Sequence, residues 1–384
     1  MRRETYTRKA RRVRVAEIRL ARLHSRKRRC TKQRVTQEYL IKDFKLRAAG
    51  LPAFAKQSCE FRGNKYRIKK AMRIVAPAVM CLDEAYAEIL GYIYQLRWIF
   101  FSREGISSSR RRKVVFADLE GVSKLTLPAA LALVAEYDRS LRAKNLAARD
   151  IDFTRWPAHV RRLLSDLGFF ELVGVERPSL CDKLGSEHLK WFKFRTSDRV
   201  QPEEIGSILQ EFSSAGGQSI ERFKVYEAII EAIGNCWHHA YPQHVARALE
   251  PCIRHWWLAG CLDVSTDVVE IAVYDQGIGI PKSLKHQNML GKICAHAGID
   301  VASPDHETIS AAIRYGKTSV EKPGRGNGLW EMSELVRRLP ESYMTIWSGA
   351  GRVVVAANGP EMKSSLAKPF PGTLICWRIK LPSA

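Results

Sequence analysis

No two of the nine cysteines form a CxxC pair. Cys30, Cys59, Cys81, Cys181, Cys236, Cys252, Cys261, Cys294 and Cys376 are spaced as neither a zinc knuckle nor a disulfide framework. Reduced thiols in a cytoplasm are the simplest reading. Nor is there an apolar run long enough for a bilayer. The longest, Ala85 to Phe101, is interrupted by Glu88, Gln95 and Arg97 and reads as a buried helix. The start Met1, Arg2, Arg3 lacks the apolar stretch of a secretion signal, which argues against export. No internal repeat is visible, and no segment beyond the basic N-terminal one is of low complexity. Acidic residues are scarce at one end only: residues 1–73 carry 25 Lys and Arg against 5 Asp and Glu, so of the net charge of +23 the other 311 residues hold only +3. The basicity belongs to a segment, and the body of the protein gives no sign of a nucleic-acid surface.

What is present is enough for two folded domains and a tail: 384 residues with 46% hydrophobic content exceed the usual single-domain size. Residues 1–73 read as a basic segment, partly helical or disordered. Residues 74–180 alternate in pattern: strand-like Arg73 to Val79, helical Asp83 to Phe100, strand-like Lys113 to Leu119, helical Pro128 to Leu146, strand-like Asp150 to Phe153 and helical Ala158 to Leu167. Such alternation predicts an α/β domain. Residues 190–384 open on the strand-like WFKFRT, followed by helices over Pro202 to Ser214 and Ile220 to Tyr241. Strands are then predicted in pairs, Ile253 to Asp263 with Val268 to Tyr274 and Tyr343 to Trp347 with Arg352 to Ala357, and Thr373 to Leu381 closes the chain.

Three blocks carry chemistry. In EAIGNCWHHAY, Glu231 and Asn235 are four apart, with His238 and His239 three and four further on, spacings that stack side chains on one helical face. An acid, an amide oxygen and an imidazole so placed suit a phosphate chain with its magnesium, although a solvated helix face shows the same spacing. In IAVYDQGIGIP, Asp275 ends an apolar strand and precedes Gly277, Gly279 and Pro281. A carboxylate there can accept a hydrogen bond from an exocyclic amine, and the glycines admit a flat base; a surface turn is the plainer alternative. GRGNGL, Gly324 to Leu329, introduces a helical WEMSELVRRL, and bare amides at a helix start bind phosphate. Alone, that glycine pattern is weak.

Taken in order, the three blocks resemble the N, G1 and G2 boxes of the GHKL (Bergerat-fold) ATPase and kinase superfamily, and Gly372 with Thr373 resembles its closing GT box. The form of the first block is most similar to that of the anti-sigma-factor serine kinases. The resemblance implies an α/β sandwich over residues 190–384, a mixed sheet with helices on one face, with ATP and Mg2+ as cofactors. It implies Glu231 as general base, Asn235 as magnesium ligand, Asp275 as adenine reader and Thr373 as a second adenine contact. Gly277, Gly279, Gly324, Gly326, Asn327, Gly328 and Leu329 would shape the base and phosphate pockets. His239 would touch phosphate or serve as a packing or capping group. The 42 residues between Pro281 and Gly324 would form the ATP lid, with Lys317 reaching the terminal phosphates.

The middle region, VVFADLEGVSKLTLPAALALV and WPAHVRRLLSDLGFFELVGV, resembles a STAS domain. The family's phosphoacceptor serine would fall near Thr126 and Leu127, and Leu127 cannot accept phosphate. The combined expectation is a signalling ATPase or serine/threonine kinase-like switch with a protein partner at the STAS-like domain, no membrane span, and a homodimer as one arrangement. The alternative is a nucleic-acid-associated ATPase anchored by residues 1–73. A third account is a nucleotide-binding scaffold without phosphoryl transfer.

Overall fold

A computed structural model describes residues 59–62, 65–68, 72–101, 114–144, 153–176, 188–199, 220–242, 253–319 and 328–381. The expected basic segment before residue 59 and the helix expected over Pro202 to Ser214 lie outside these residues, as do residues 150–152 of the strand expected at Asp150 to Phe153.

The chain enters through an antiparallel hairpin of β1 (Cys59–Arg62) and β2 (Lys65–Ile68). Then β3 (Met72–Val75) and β4 (Val79–Met80) lead into helix α1 (Tyr86–Phe101), and the chain returns as β5 (Val114–Asp118) and β6 (Lys124–Leu125). The pairs β3 with β5 and β4 with β6 are parallel. Parallel neighbours require a crossover, and α1 supplies it. Helix α2 (Leu127–Lys144) follows, then α3 (Ala158–Asp166) and α4 (Phe169–Val173). This order of strand, helix, strand and helix is the one the sequence pattern predicts. The hydroxyl at the expected acceptor position is engaged structurally, Thr126 Oγ1 donating to Met80 O at 3.2 Å, and nearby Ser123 Oγ donates to Ala78 O at 3.0 Å.

The second half of the chain comprises β7 (Leu189–Ser197), α5 (Ile220–Asn235, continuing as a π-turn over Cys236–Ala240), β8 (Trp256–Asp263), β9 (Val268–Asp275), α6 (Ile280–His286), α7 (Leu290–Ala297), α8 (Asp305–Ser319), α9 (Gly328–Arg337), β10 (Tyr343–Ala356) and β11 (Met362–Lys380). Its sheet has the order β10-β11-β9-β8-β7, and every neighbouring pair is antiparallel. The expected mixed sheet is therefore corrected to an antiparallel one. The expected pair Tyr343 to Trp347 and Arg352 to Ala357 is a single strand, β10, whose register breaks at Ser348 to Gly351. Its hydrogen-bonding partner is β11, which begins 11 residues before the predicted Thr373.

The sheet is covered on both faces: its own helices α5, α8 and α9 lie on one face, as expected, and α1 and α2 of the upstream region cover the other. Side chains alternate along each strand. Leu258, Ile271, Val273, Ile375, Trp377 and Ile346 meet α5, α8 and α9, whereas Trp257, Ala259, Ala272, Tyr274, Leu374 and Cys376 join the core formed by α1 and α2. The nearly unbroken apolar runs WWLAGC and IAVY fit a sheet buried on two sides. Helix α2 is the covering element, buried at every residue from Leu127 to Asp138; a helix apolar on most of its circumference suits an interior position. Polar bonds complete the seam: Trp257 Nε1 donates to Asp138 Oδ2 at 2.8 Å and Tyr86 Oη to Lys368 O at 2.8 Å. Residues 188–384 expressed alone would expose the Trp257, Tyr274 and Phe370 face. We expect that fragment to be aggregation-prone and to bind an apolar dye strongly, while the full chain does not; a dispersed fragment that leaves the dye dark would contradict the shared core.

Candidate functional site

Helix α5 buries Val225, Ala228, Ile229, Ala232, Ile233 and Cys236 against the sheet. Glu231 and Asn235 fall one turn apart at its half-exposed margin. The first residue of α9 abuts this margin, where a Cβ at Gly328 would overlap the Glu231 carboxyl group. Only a glycine admits the acid there. Burial raises the Glu231 pKa above the usual carboxylate value, the negative charge of Glu331 adds to the rise, and a hydrogen bond with Asn235 opposes it.

The π-turn at the end of α5 meets the turn after β9. Ile278 N–H donates to Ala240 O at 3.0 Å, and a side chain at Gly277 would collide with Ala240. Tyr241 Oη donates to His255 O at 2.7 Å and accepts from Gln276 N–H at 2.9 Å. Asp275, at the end of β9, stands opposite both Trp256 and Thr373 in register. Its Oδ1 accepts from Gly277 N–H at 2.8 Å, and its Oδ2 accepts from the Cys236 thiol at 3.6 Å. Desolvation pushes the Asp275 carboxyl up to about 6; bonds from Gly277, Cys236 and Thr373 oppose that shift. So Cys236, next in sequence to Asn235, touches the same carboxylate that β11 brings to Thr373.

Around Thr373 the chain is closed by Ser348, which sequence reasoning does not single out, and by two glycines that it does. Ser348 Oγ lies 3.0 Å from Thr373 Oγ1 and accepts from Ile280 N–H at 2.8 Å. Gly279 at φ +80° and Gly372 at φ +115° occupy left-handed backbone, and a Cβ on Gly372 would overlap the Asp275 carbonyl. The bulge in β10 that positions Ser348 carries the only cue, the glycines of SGAG. Tyr241 and Gln276 lie within the first two sequence blocks, but their partners are remote in sequence and no local pattern reveals them.

The remaining candidates divide. His239 sits in the π-turn, its ring 5.8 Å from that of His238, which packs edge-on to Trp237. Leu329 is half-buried and packs between the main core and the small cluster of α7 and α8. Lys317 belongs to the last turn of α8, with its side chain outside the described residues; Gly324, Gly326 and Asn327 lie outside them too. The expected lid is mostly a built layer, because residues 280–319 fold as α6, α7 and α8. Ile293, Ala311 and Ala312 give that layer a core, and Ala350 N–H donates to Asp305 Oδ2 at 2.7 Å, fixing the start of α8. Arg314 bends back onto its own helix, with Nη2 3.3 Å from Ser310 Oγ. Among the described residues no group of three His, Cys, Asp or Glu side chains converges as a metal cage, and none of the helices is long and apolar enough to cross a membrane.

Comparison of the chain with family models, with curated proteins and with solved structures returned no match.

Proposed function

We propose that residues 190–384 bind ATP with magnesium in the manner of the GHKL superfamily and that the protein is a signalling ATPase or serine/threonine kinase-like switch. The observation that carries this reading is the convergence of three blocks far apart in sequence: the Glu231 carboxyl group abuts Gly328, while Cys236 on the same helix contacts Asp275. The donor set fits an adenine nucleotide. Asp275 is a buried acceptor, and the 3.6 Å thiol contact is the weak one that an exocyclic amine would replace. Asn235 would offer one oxygen to a magnesium ion, which is adequate for a metal that binds mainly through phosphates and water.

When bound, ATP with its metal would supply the phosphoryl group and neutralise the charge that develops during transfer. Glu231, its pKa raised by burial, would take the proton from an attacking water or hydroxyl, and Asn235, one turn away, would hold the metal. The upstream region resembles a STAS domain in element order, and we assign it the partner-binding role. Helix α2 is already occupied by the sheet, so a partner engages other surfaces of that region. Incubation of the full chain with labelled ATP, scoring free phosphate, labelled self and labelled candidate proteins, tests the reading; absence of label transfer and of hydrolysis would leave only a binding role.

Asp275 adds a pH test in which two readouts move oppositely. Its folded pKa, about 6, lies above its unfolded value of 3.8, so the native state holds the proton more tightly between those values. Stability of the unliganded protein therefore gains from this group as pH falls through about 6 towards 4. ATP affinity falls over the same window, because the ionised form is the one that accepts the amine. Urea midpoints and ATP titrations of the parent and Asp275→Asn proteins check both. An equal pH response of stability in the two proteins would remove Asp275 from the explanation.

A further inference from the structure

The buried acid Glu136 has no place in the scheme above. It lies in α2 between Ala135 and Tyr137, and its side chain is fully buried. A buried carboxylate is expensive unless it is paired and hydrogen-bonded. Arg97 of α1 pairs with it, donating to Oε1 from Nε at 2.8 Å and also from Nη2. A second donor reaches the same oxygen: Gln276 Nε2, at 2.9 Å. Gln276 is the residue immediately after Asp275, and its own N–H is held by Tyr241 Oη from the other side. The turn that presents Asp275 is thus gripped by the tail of α5 and by the upstream region. Two buried acceptors, Glu136 Oε2 and Gln276 Oε1, have no hydrogen-bond partner among the described residues. Arg139 Nη1 stands 3.9 Å from that Glu136 oxygen. A partly satisfied buried network of this kind has room to rearrange.

We propose that Glu136 is a positioning residue for nucleobase recognition, acting through Gln276 to hold the turn that presents Asp275 and so coupling the upstream region to the nucleotide site. The inference rests on the ATP-binding reading and deepens it. It assigns a second role to the α1–α2 layer beyond covering the sheet: a partner or mutation that shifts α2 changes the discrimination of adenine. The coupling is reciprocal, so bound ATP changes the upstream region's affinity for that partner by the same factor.

The test uses the full chain and isothermal titration with ATP·Mg and with GTP·Mg. Gln276→Met keeps the length and removes the donor, leaving Glu136 paired with Arg97. The expected result is an ATP Kd raised about tenfold with GTP binding little changed, so the ATP-to-GTP preference falls about tenfold. Glu136→Gln combined with Gln276→Met should be no worse than Gln276→Met alone, because the two residues act through one contact. Binding of both nucleotides at parental strength would overturn the proposal. Equal weakening of ATP and GTP would overturn it too, since that is what a merely structural contact predicts. If Gln276→Met fails to fold, Gln276→Asn, which keeps the amide but falls short of Glu136, is read in the same way; unfolding of both variants makes the contact structural and rejects the proposal. Failure of the parent protein to bind either nucleotide identifies the other fault, in the ATP-binding reading itself.

Discussion

Glu231→Ala should still bind ATP with magnesium but lose turnover by about 10²- to 10⁴-fold, the range over which a positioned general base acts. The acid lies apart from the turn proposed to read the base: it faces Gly328 at the start of α9, whereas Asp275 meets α5 one residue beyond Asn235, at Cys236. Removing the carboxylate would leave the proposed purine contacts in place and take away the group proposed to accept a proton from the nucleophile. It also relieves a partly buried negative charge that Glu331 disfavours, so thermal stability should hold or rise slightly. Single-turnover measurements with labelled ATP, alongside equilibrium binding, separate the two effects. Turnover equal to that of the parent protein would take Glu231 out of the chemistry.

The largest expected loss of stability comes from Gly372→Ala. Gly372 sits at φ +115°, where an L side chain is strained, and its Cβ would overlap the carbonyl oxygen of Asp275 in the neighbouring strand. Neither side can yield cheaply, because the next register pair, Thr373 with Asp275, joins the two central strands of the sheet. Backbone strain together with overpacking costs on the order of 3–5 kcal/mol. Urea denaturation followed by tryptophan fluorescence measures it directly. Gly91→Ala is the control: it lies in α1 on ordinary helical backbone, and open space surrounds the position its new methyl would take. It should hold or gain stability, within about 1 kcal/mol. A Gly372→Ala protein as stable as the parent would mean that the irregular stretch of β11 between Phe370 and Thr373 is built differently.

Much of the fold is legible in local pattern, because period and turn chemistry are local properties. The helices bearing Glu231, Leu131 and Val336 and the strands ending at Asp118 and Asp275 fall where apolar periodicity places them. What local pattern does not show is which surface covers which. The second covered face of the sheet depends on α2, more than 100 residues away in sequence from its partner β9. Its cue is indirect: strands such as WWLAGC that are apolar at every position have no face left for water. The length of β11 is hidden for a similar reason. MKSSLAKP is polar, and it becomes a strand only because β10 continues far enough to pair with it.

The candidate site divides along the same line. Residue types and spacing single out Glu231, Asn235 and Asp275, since these requirements are chemical, whereas Thr373 enters only through the family resemblance. Ser348, Tyr241 and the Glu136–Gln276 contact are set by tertiary geometry. Tyr241 is a plain helix-end aromatic in sequence, yet in the fold its hydroxyl joins His255 O to Gln276 N–H. Glu136 follows an apolar run of α2 with nothing in the local sequence to mark its role, and its burial is explained by Arg97 and Gln276.

The most direct measurement is isothermal titration of the full chain with ATP in the presence and absence of magnesium, using the parent and Asp275→Asn proteins. Saturable one-site binding by the parent that tightens with magnesium, and is lost or much weakened in Asp275→Asn, is the result predicted. No heat of binding in the parent, or binding indifferent to both magnesium and Asp275, would contradict the assignment of a nucleotide to the residues that α5, the turn after β9 and α9 bring together.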